Sequence, residues 1–491
     1  MATITIIDPV TRLEGHLKIK VMVDTVNGVQ QVVDAWATGT LFRGFEAILQ
    51  KRHPMDAQHI TQRICGVCPV SHGLASVLAQ EQAYRVTPPA NAIIMRNLVL
   101  GANHIDSHIL HFYHLAAPDF IKGPDMPPWQ PSWNIDRRFD PATTTTLVNH
   151  YVTALDMRRK AHEMGAIFGG RLPHPPTYIP GGFTTQPTAA AITRFQAILS
   201  EITSFITGTY IPDAQALAAT YSDYRDIGGG YENLLAYGCF DLNAAGTSKL
   251  LRRGRVTNGA TNVETVNVEA IAEHVKYSWY NDRTNMLNPV AGVTTPQHPK
   301  GSAARPKLGA APAPPTGAYS WLKAPRYLDA PYETGALARM WVNGDYRAGI
   351  SVMDRHLARA AETLKVAEAM GTWVGQLTPG GAVAVPTSVP ATGAGIGLTE
   401  APRGALGHWL QITGGKISRY QIVTPTCWNA SPRDTAGQMG PMEKALIGTP
   451  VQDVDQPLEV VRVIHSFDPC LSCAVHVMRP GEGKKIFTLG H

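Results

Sequence analysis

Two Cys-x-x-Cys motifs lie at opposite ends of the chain, at Cys65–Cys68 and at Cys470–Cys473. Thiolates are soft, negatively charged ligands, so four of them converging on one point would suit a soft transition metal and would repel one another without it. Most of the chain separates the two motifs. A shared metal site would therefore form only when the chain folds.

Three kinds of chemistry use paired cysteines. A structural zinc site usually has its two pairs about 15 to 20 residues apart, and these pairs lie much farther apart. A thioredoxin-like redox site needs one pair at the start of a helix, not two matching pairs. The spacing favours a redox-active catalytic metal, then structural zinc, then disulfide chemistry.

The composition is that of an ordinary globular protein. Of the 491 residues, 44% are hydrophobic, which is enough to bury a large core in two or three lobes. Six cysteines are too few for a disulfide framework in so long a chain. We expect the two cysteines outside the motifs, Cys239 and Cys427, to be small buried apolar residues.

Charge and hydropathy limit the possible partners and location. The net charge of +5 comes from scattered Lys and Arg residues, which gives no support to nucleic-acid binding. Asp8, Arg12 and Glu14 follow the first apolar residues, so we expect no secretory signal. No segment has the roughly 20 apolar residues of a membrane span. A partner would have to provide export or membrane attachment.

The elements that must position the cysteines follow from hydrophobic periodicity. Apolar residues recur every three to four positions in five segments, which predicts helices at 73–86, 90–116, 142–167, 188–220 and 348–376. Helices of this length favour a central bundle. The predicted fold class is therefore mainly α with small antiparallel β-sheets (α+β), with the long helices at the centre and the sheets at the periphery.

Turn residues mark the predicted sheets and loops. Alternating residues around Asn27-Gly28 predict a hairpin over 16–36, and Gly414-Gly415 lies within a second predicted hairpin over 406–423. The two hairpins could share one sheet or belong to two. We predict ordered loops or coil in the segments rich in Gly and Pro, which are 169–182, 298–326 and 377–404.

Further motifs accompany the cysteines along the chain. They are Asp8–His16, Arg63–Gly73, the loop 169–182, Ala401–Gly404, Thr426–Asn429, Pro432–Asp434 and Asp468–His476. Together they resemble the large subunit of nickel-iron hydrogenases, and the resemblance covers nearly the whole chain. It implies the fold of that family and the catalytic subunit of an uptake-type enzyme, which oxidises dihydrogen to protons and electrons.

The resemblance implies that the four motif cysteines bind a nickel-iron centre. By position, Cys65 and Cys470 would be terminal ligands of nickel. Cys68 and Cys473 would bridge the nickel to an iron that carries carbon monoxide and cyanide. Because a bridging thiolate shares its charge between two metals, the terminal sulfurs are the more basic and the better placed to accept a proton.

Heterolytic cleavage of dihydrogen releases a proton and needs a base within reach. We rank Cys470 first as acceptor and Glu14 as the next carrier, because a carboxyl group can be neutral or charged. The resemblance places Arg403 over the open face of the metals, to polarise the substrate or take the proton, although arginine is normally protonated. Asp468 would order Arg403 by a charge-assisted bond, and Pro402 would line the cyanide pocket.

One position departs from the family pattern. Many membrane-bound relatives carry an aspartate just before the histidine that is His108 here, whereas this chain has Ser107. The adjacent Asp106 would point elsewhere on a helix. One partner of Arg403 would then be weaker or replaced by water.

The resemblance also implies a second, redox-inert metal below the active site. Its ligands would be Glu46, His476 and the backbone carbonyl near Ile422. Magnesium is the usual metal at this site. Because an imidazole is an unusual ligand for magnesium, iron and calcium are the alternatives. We expect His72 to orient a bridging sulfur in the cofactor site, the alternative being a structural histidine.

Family precursors are cut just after the histidine that is His476 here, so 477–491 would be a removable maturation tail that is still present. The remainder, 1–476, would be the large subunit proper. We predict three regions within it, which are an N-terminal sheet region over about 1–45, a helical core over about 46–376, and a C-terminal sheet and active-site region over about 377–476.

The resemblance implies partners as well. The chain has no further cysteine cluster that could hold an iron-sulfur centre, so electrons would leave through an iron-sulfur small subunit, in an obligate heterodimer or a dimer of heterodimers. A maturation endopeptidase and nickel-insertion proteins would act on the precursor. The small subunit would bring export to the periplasm and membrane association, with a cytoplasmic location still open.

Two other functions share parts of this pattern. A hydrogen-sensing regulatory subunit has the same metal site but tends to lack the tail. The quinone-module subunit of respiratory complex I is related but lacks the paired cysteines. The tail and the four cysteines together favour the enzyme.

Overall fold

The computed structural model describes residues 2–474, except 128, 131, 134, 299 and 301–316, and of Cys473 and Ala474 it describes only the backbone. The α-helices are α1 (Phe45–Leu49), α2 (Asp56–Thr61), α3 (Pro69–Tyr84), α4 (Ala90–Ile109), α5 (Pro141–Gly169), α6 (Ala189–Phe205), α7 (Ile211–Thr220), α8 (Ala336–Asn343), α9 (Val352–Gly375), α10 (Pro425–Asn429), α11 (Pro441–Leu446), α12 (Leu458–Ser466) and α13 (Leu471–Ala474).

The strands form small antiparallel sheets. They are β1 (Thr3–Val10), β2 (Leu17–Val26), β3 (Val29–Gly39), β4 (Tyr178–Ile179), β5 (Gly182–Phe183), β6 (Leu234–Ala236), β7 (Cys239–Asp241), β8 (Lys249–Leu251), β9 (Gly254–Val256), β10 (Ile271–His274), β11 (Ala324–Tyr327), β12 (Thr392–Ala401), β13 (Gly404–Thr413) and β14 (Lys416–Val423). This combination confirms the predicted α+β class.

Four long helices form the centre of the molecule. α4 packs against α5 and α9, and α6 packs against the same two helices. α4 is buried along nearly its whole length. Side-chain caps begin three of these helices, because Asp140 accepts from the amides at the start of α5, Thr188 from an amide of α6, and Ser351 from an amide of α9. The predicted central bundle is confirmed.

The predicted helical segments match the observed helices closely, with one kind of exception. The segment 90–116 ends in a π-helical stretch at Leu110–Ala116, and the segment 188–220 contains another at Ile206–Tyr210, between α6 and α7. Periodicity near 3.6 cannot separate an α-helix from a short π-helical insertion.

The N-terminal sheet has the strand order β1-β2-β3. Leu17, Ile19 and Val21 of β2 are buried and alternate with less buried residues, as the pattern predicted. Asn27 and Gly28 both have positive φ, at 51° and 82°, as a two-residue turn between right-twisted strands requires. The hairpin over 16–36 is confirmed, and β1 adds a strand that the sequence analysis did not predict.

The C-terminal sheet, β12-β13-β14, is separate from the N-terminal one. β13 and β14 confirm the hairpin over 406–423, whereas the prediction of coil over 377–404 is wrong for β12. This strand has glycine at alternate positions because its backbone lies directly on α3. A Cβ at Gly395 or Gly397 would collide with the carbonyl oxygen of Ala79 or Ala75.

Several other predictions can be compared with the structure only in part. The region 46–376 also contains the short strand pairs β4–β5, β6–β9, β7–β8 and β10–β11. Most of the predicted loop 298–326, and the whole predicted tail 477–491, lie outside the described residues. Cys239 and Cys427 are buried, as expected. None of the helices in the described part of the chain is long and apolar enough to cross a membrane.

Replacing Gly397 by alanine should destabilise the protein, because the new methyl group would push β12 away from α3. Overpacking of this kind typically costs about 1–3 kcal/mol, and thermal unfolding of the purified protein would measure it. Gly371→Ala is a suitable control, since a Cβ there meets nothing within 4 Å. Equal unfolding temperatures for the two variants would contradict the close contact.

Candidate metal centre

Three of the four motif cysteines meet in the interior. The sulfurs of Cys65 and Cys470 lie 3.4 Å apart, and the sulfurs of Cys65, Cys68 and Cys470 all lie within 4.8 Å of one another. Each of these residues is at most 1% exposed. The backbone of Cys473 continues from this point as part of α13, and its side chain lies outside the described residues.

The two chain ends are joined directly beside this cluster. Glu14 and Cys470 form a parallel β-bridge, and the amide of Leu471 donates to the carbonyl oxygen of Glu14 at 2.6 Å. Gly15, with φ of 88°, leaves no room for a Cβ against the backbone of Leu471 and Ser472. The N-terminal motif therefore holds the last cysteine motif in place.

Backbone amides and a helix terminus surround the sulfurs. The amides of Val67 and Cys68 each donate to Cys65 Sγ at 3.2 Å, and the amide of Cys470 donates to Thr426 Oγ1 at 3.0 Å. Cys68 is the N-cap of α3, with Pro69 at the first helical position. A helix N-terminus favours negative charge, so this end of the cluster suits thiolates.

Arg403 provides a buried positive charge beside the cluster. Its Nη2 lies 3.1 Å from Asp468 Oδ1, and both side chains are at most 2% exposed. Burial disfavours the charged guanidinium, but Asp468 and the sulfurs of Cys470 and Cys68 hold the pKa of Arg403 well above its ordinary value. This environment favours the protonated guanidinium of Arg403.

The guanidinium also supplies a test of whether a metal centre fits. Among the described residues, none of the three nitrogens of Arg403 has a hydrogen-bond acceptor with good geometry. Buried N–H groups are rarely left unpaired. Three clustered sulfurs beside a cation with unsatisfied donors fit a soft transition metal whose own small ligands would accept those hydrogen bonds.

Glu14 lies at the edge of the cluster and is partly exposed. Its carboxylate has hydrogen bonds with the Ser472 side chain and the Gly66 backbone, both of which favour the charged form. Burial first, and then the charge of Cys65, raise the pKa of Glu14 above its ordinary value, against the opposing effect of Arg403. A carboxyl group in this environment can hold a proton at higher pH than an exposed glutamate.

The structure brings together Glu46 and Ile422, two of the residues predicted to bind a second metal. Glu46 is 3% exposed, and its Oε1 accepts from the backbone amide of Ile422 at 2.9 Å. Its Oε2 contacts the Thr294 hydroxyl and lies 3.6 Å from Lys323 Nζ. His476, the third predicted ligand, lies outside the described residues, so the second metal site stays a prediction.

His72 is fully buried in α3. Its Nδ1 lies 3.2 Å from His408 Nε2, and the Nδ1 of His408 lies 2.9 Å from the Tyr420 hydroxyl. This chain of contacts fixes the ring orientation of His72 from the C-terminal sheet. It is compatible with both the orienting role and the structural role that we considered.

The neighbourhood of Ser107 is as the helical spacing predicted. Asp106 points towards α5, where it pairs with Arg158 at 3.0 Å and His162 at 3.1 Å. The hydroxyl of Ser107 is buried and has no hydrogen-bond partner among the described residues. Asp468 is therefore the only described carboxylate within ion-pair distance of Arg403.

A second buried cluster, which was not predicted from the sequence, lies near the segment that carries Arg403. Nitrogen and oxygen atoms of His104, His108 and Glu362 lie within 4.8 Å of one another, as in some metal sites. Here both oxygens of Glu362 accept from Arg339, at 2.6 and 2.8 Å, so we assign no metal to it. Charged residues at core-facing positions of the predicted helix 348–376, such as Glu362, were the signal that could have revealed it.

Comparisons with known proteins agree on one family. The family model described as nickel-dependent hydrogenase matches residues 43–127 and 125–476, and a model described as HoxL-like matches residues 3–33. The periplasmic NiFeSe hydrogenase large subunit of Desulfomicrobium baculatum is 41% identical, over 98% of this chain and 96% of that protein. The uptake hydrogenase large subunit of Bradyrhizobium diazoefficiens is 34% identical, over 98% and 96%.

A solved structure gives the same result. The oxidised Ni-Fe-Se hydrogenase from D. vulgaris Hildenborough aligns with a TM-score of 0.91 and 41% identity, covering 97% of this chain and 100% of that one.

Replacing Gly15 by alanine should separate the N-terminal motif from the Cys470 segment and lower the amount of transition metal bound per chain. Elemental analysis of the purified protein would measure this loss. Gly28→Ala is the matched control, because Gly28 has a similar φ of 82° but a Cβ there meets nothing within 4 Å. A metal content in Gly15→Ala equal to that in Gly28→Ala would contradict a role for the contact between Gly15 and the Cys470 segment.

Proposed function

Because the chain belongs to the nickel-dependent hydrogenase family, we propose that Cys65, Cys68, Cys470 and Cys473 bind the nickel-iron centre of this protein. The chain is a hydrogenase large subunit, an oxidoreductase that acts on dihydrogen and is the catalytic part of a heterodimer with a small subunit. The observation that carries the proposal is the 3.4 Å contact between the sulfurs of Cys65 and Cys470.

The ligand roles follow the sequence positions. We infer that Cys65 and Cys470 would be terminal ligands of the nickel, and that Cys68 and Cys473 would be the ligands shared with an iron that carries carbon monoxide and cyanide. When bound, the centre supplies the site at which dihydrogen is polarised and gives up its electrons. The unsatisfied N–H groups of Arg403 support small hydrogen-bond-accepting ligands on the iron. Pro402, buried beside Arg403, would line their pocket.

The chain's own groups handle the proton. Cys470 is the first acceptor in our proposal, since a terminal thiolate is more basic than a bridging one. Glu14 follows, because it is joined to the segment after Cys470 and its raised pKa lets it carry a proton. Arg403, ordered by Asp468, polarises the substrate by its charge.

The relatives are named as hydrogenases, and some of them as uptake hydrogenases. These names favour catalysis over hydrogen sensing. They give no support to the complex I alternative. The names of some relatives include selenium, whereas this chain has cysteine at all four proposed ligand positions.

The remaining parts of the proposal concern the assembly. We infer an iron-sulfur small subunit, in a heterodimer or a dimer of heterodimers, because electrons must leave a buried site. A second metal, magnesium or else iron or calcium, would bind near Glu46, Ile422 and His476. The buried ion pair of Glu46 with Lys323 supports a place for charged groups in this part of the interior. A maturation endopeptidase would remove 477–491 after nickel insertion.

The cellular location also belongs to the proposal. One relative is named as periplasmic, which supports export together with the small subunit. Membrane association would come through partner subunits.

The matured heterodimer should contain one nickel per large subunit and show infrared bands of metal-bound carbon monoxide and cyanide. Cys470→Ser should abolish both signals because it removes a terminal ligand. Cys427→Ser is the matched control, since Cys427 is a buried cysteine outside the sulfur cluster. Zinc alone in the wild-type protein, with no such bands, would refute the assignment.

Glu14→Gln keeps the shape of the side chain but removes its ability to carry a proton, so hydrogen oxidation should slow by roughly 100-fold or more. Nickel and iron contents should stay at wild-type levels. Dye reduction under hydrogen, together with elemental analysis, would test this. The exposed Glu163, changed to glutamine, serves as control, and unchanged turnover in Glu14→Gln would remove Glu14 from the relay.

A further inference from the structure

Arg403 lies at the tip of the β12–β13 hairpin, and this tip is buried. Ala401 pairs with Gly404, which leaves Pro402 and Arg403 as a two-residue loop, and all four residues are buried. Hairpin loops usually lie at the surface, where water satisfies their backbone groups. A buried loop needs protein donors for its carbonyl oxygens instead.

One side chain, Arg339 of α8, supplies those donors. Its Nη1 donates to the carbonyl oxygen of Ala401 at 2.9 Å, and its Nη2 donates to that of Pro402 at 2.8 Å. Nε and Nη2 also donate to the two oxygens of Glu362, and Nη1 donates to Glu400 at 3.0 Å. An arginine has five N–H groups, so every donor of Arg339 has an acceptor.

Arg403 is held in a different way. Its side chain has the ion pair with Asp468 but no hydrogen bond of good geometry among the described residues. Where its guanidinium lies relative to the sulfurs therefore depends on where the hairpin tip is held.

We propose that Arg339 is the positioning residue that sets Arg403 over the nickel-iron centre, by binding the carbonyls of Ala401 and Pro402. This inference rests on the proposed function of the same site.

The guanidinium of Arg339 links three separate elements. Arg339 comes from α8, Glu362 from α9 and Glu400 from the end of β12, and all three side chains are 0% exposed. Glu400 is held in turn by the amide of Tyr237 at 2.5 Å, and Glu362 by Nε2 of His108 at 2.8 Å. The hairpin tip is therefore tied to the central bundle rather than only to its own sheet.

The charges keep these contacts in place. Burial disfavours the ionised Glu362, but Arg339, His104 and His108 hold the pKa of Glu362 well below its ordinary value. Burial likewise disfavours the cationic Arg339, but Glu362 and Glu400 raise its pKa. A lysine could not replace this group, because three donors on one atom cannot bind two carboxylates and two carbonyls at once.

Arg339→Lys in the matured heterodimer is the direct test. Displacement of Arg403 should lower turnover at saturating dihydrogen by roughly 10- to 100-fold, and should shift the carbonyl and cyanide infrared bands at unchanged nickel content. Arg326→Lys is the matched control, because Arg326 is also fully buried, pairs with Asp434 at 2.8 Å and binds backbone carbonyls away from the hairpin tip. It should keep the wild-type bands and turnover.

A purely structural role for Arg339 makes a different prediction. It would lower the unfolding temperature of both lysine variants but leave the bands of loaded enzyme unchanged. Wild-type bands and turnover in Arg339→Lys would therefore overturn the proposal. Glu400→Gln, which keeps the shape of the side chain but replaces one of the two carboxyl groups that accept from Arg339, should shift the same bands in the same direction.

Hydrogen exchange covers the case in which Arg339→Lys loads no metal. The amides of Ala401 and of residues 403–406 should exchange faster in the purified Arg339→Lys heterodimer than in Arg326→Lys, and equal exchange would overturn the proposal. Failure of the proposed function would be recognised separately, because the wild-type heterodimer would then lack the carbonyl and cyanide bands.

Discussion

The structure depends on one constraint, which is that sulfurs from opposite ends of the chain must meet in a buried place. The hydrogen bond from the Leu471 amide to the Glu14 carbonyl, and the close approach of Gly15 to the same segment, join the two ends. Thiolates brought together in a medium of low dielectric repel strongly unless a metal binds them. Metal binding and the final docking of the C-terminal segment are therefore coupled in this architecture.

Buried arginines divide into two kinds around this site. Arg339 has an acceptor for every donor and acts as part of the framework. Among the described residues Arg403 has only its ion pair with Asp468, so its donors are available to the ligands of the proposed metal centre. A preorganised cation of this kind stabilises developing charge without further reorganisation. The contrast shows how one side chain can be held firmly through its backbone while its polar end stays available for chemistry.

The scaffold explains how such an arrangement stays rigid. α3 begins directly after its N-cap Cys68 and lies against the glycine-rich strand β12, which ends two residues before Arg403. The same helix carries His72, whose ring is fixed by His408 of β13. Cys68, His72 and Arg403 are therefore attached to one packed helix-and-sheet unit. This unit lies against the central bundle, through which Arg339 and Glu362 are anchored.

Reading the residues alone was enough to predict the α+β class, the long helices, both hairpins and a metal site at the two cysteine motifs. Those features follow from local periodicity, turn chemistry and ligand spacing, which short stretches of sequence contain. The strand β12 and the Arg339–Glu362–Glu400 cluster could not be predicted in this way. Glycines that permit close packing and charges that satisfy one another in the core have meaning only through partners distant in sequence, and folding alone brings those partners together.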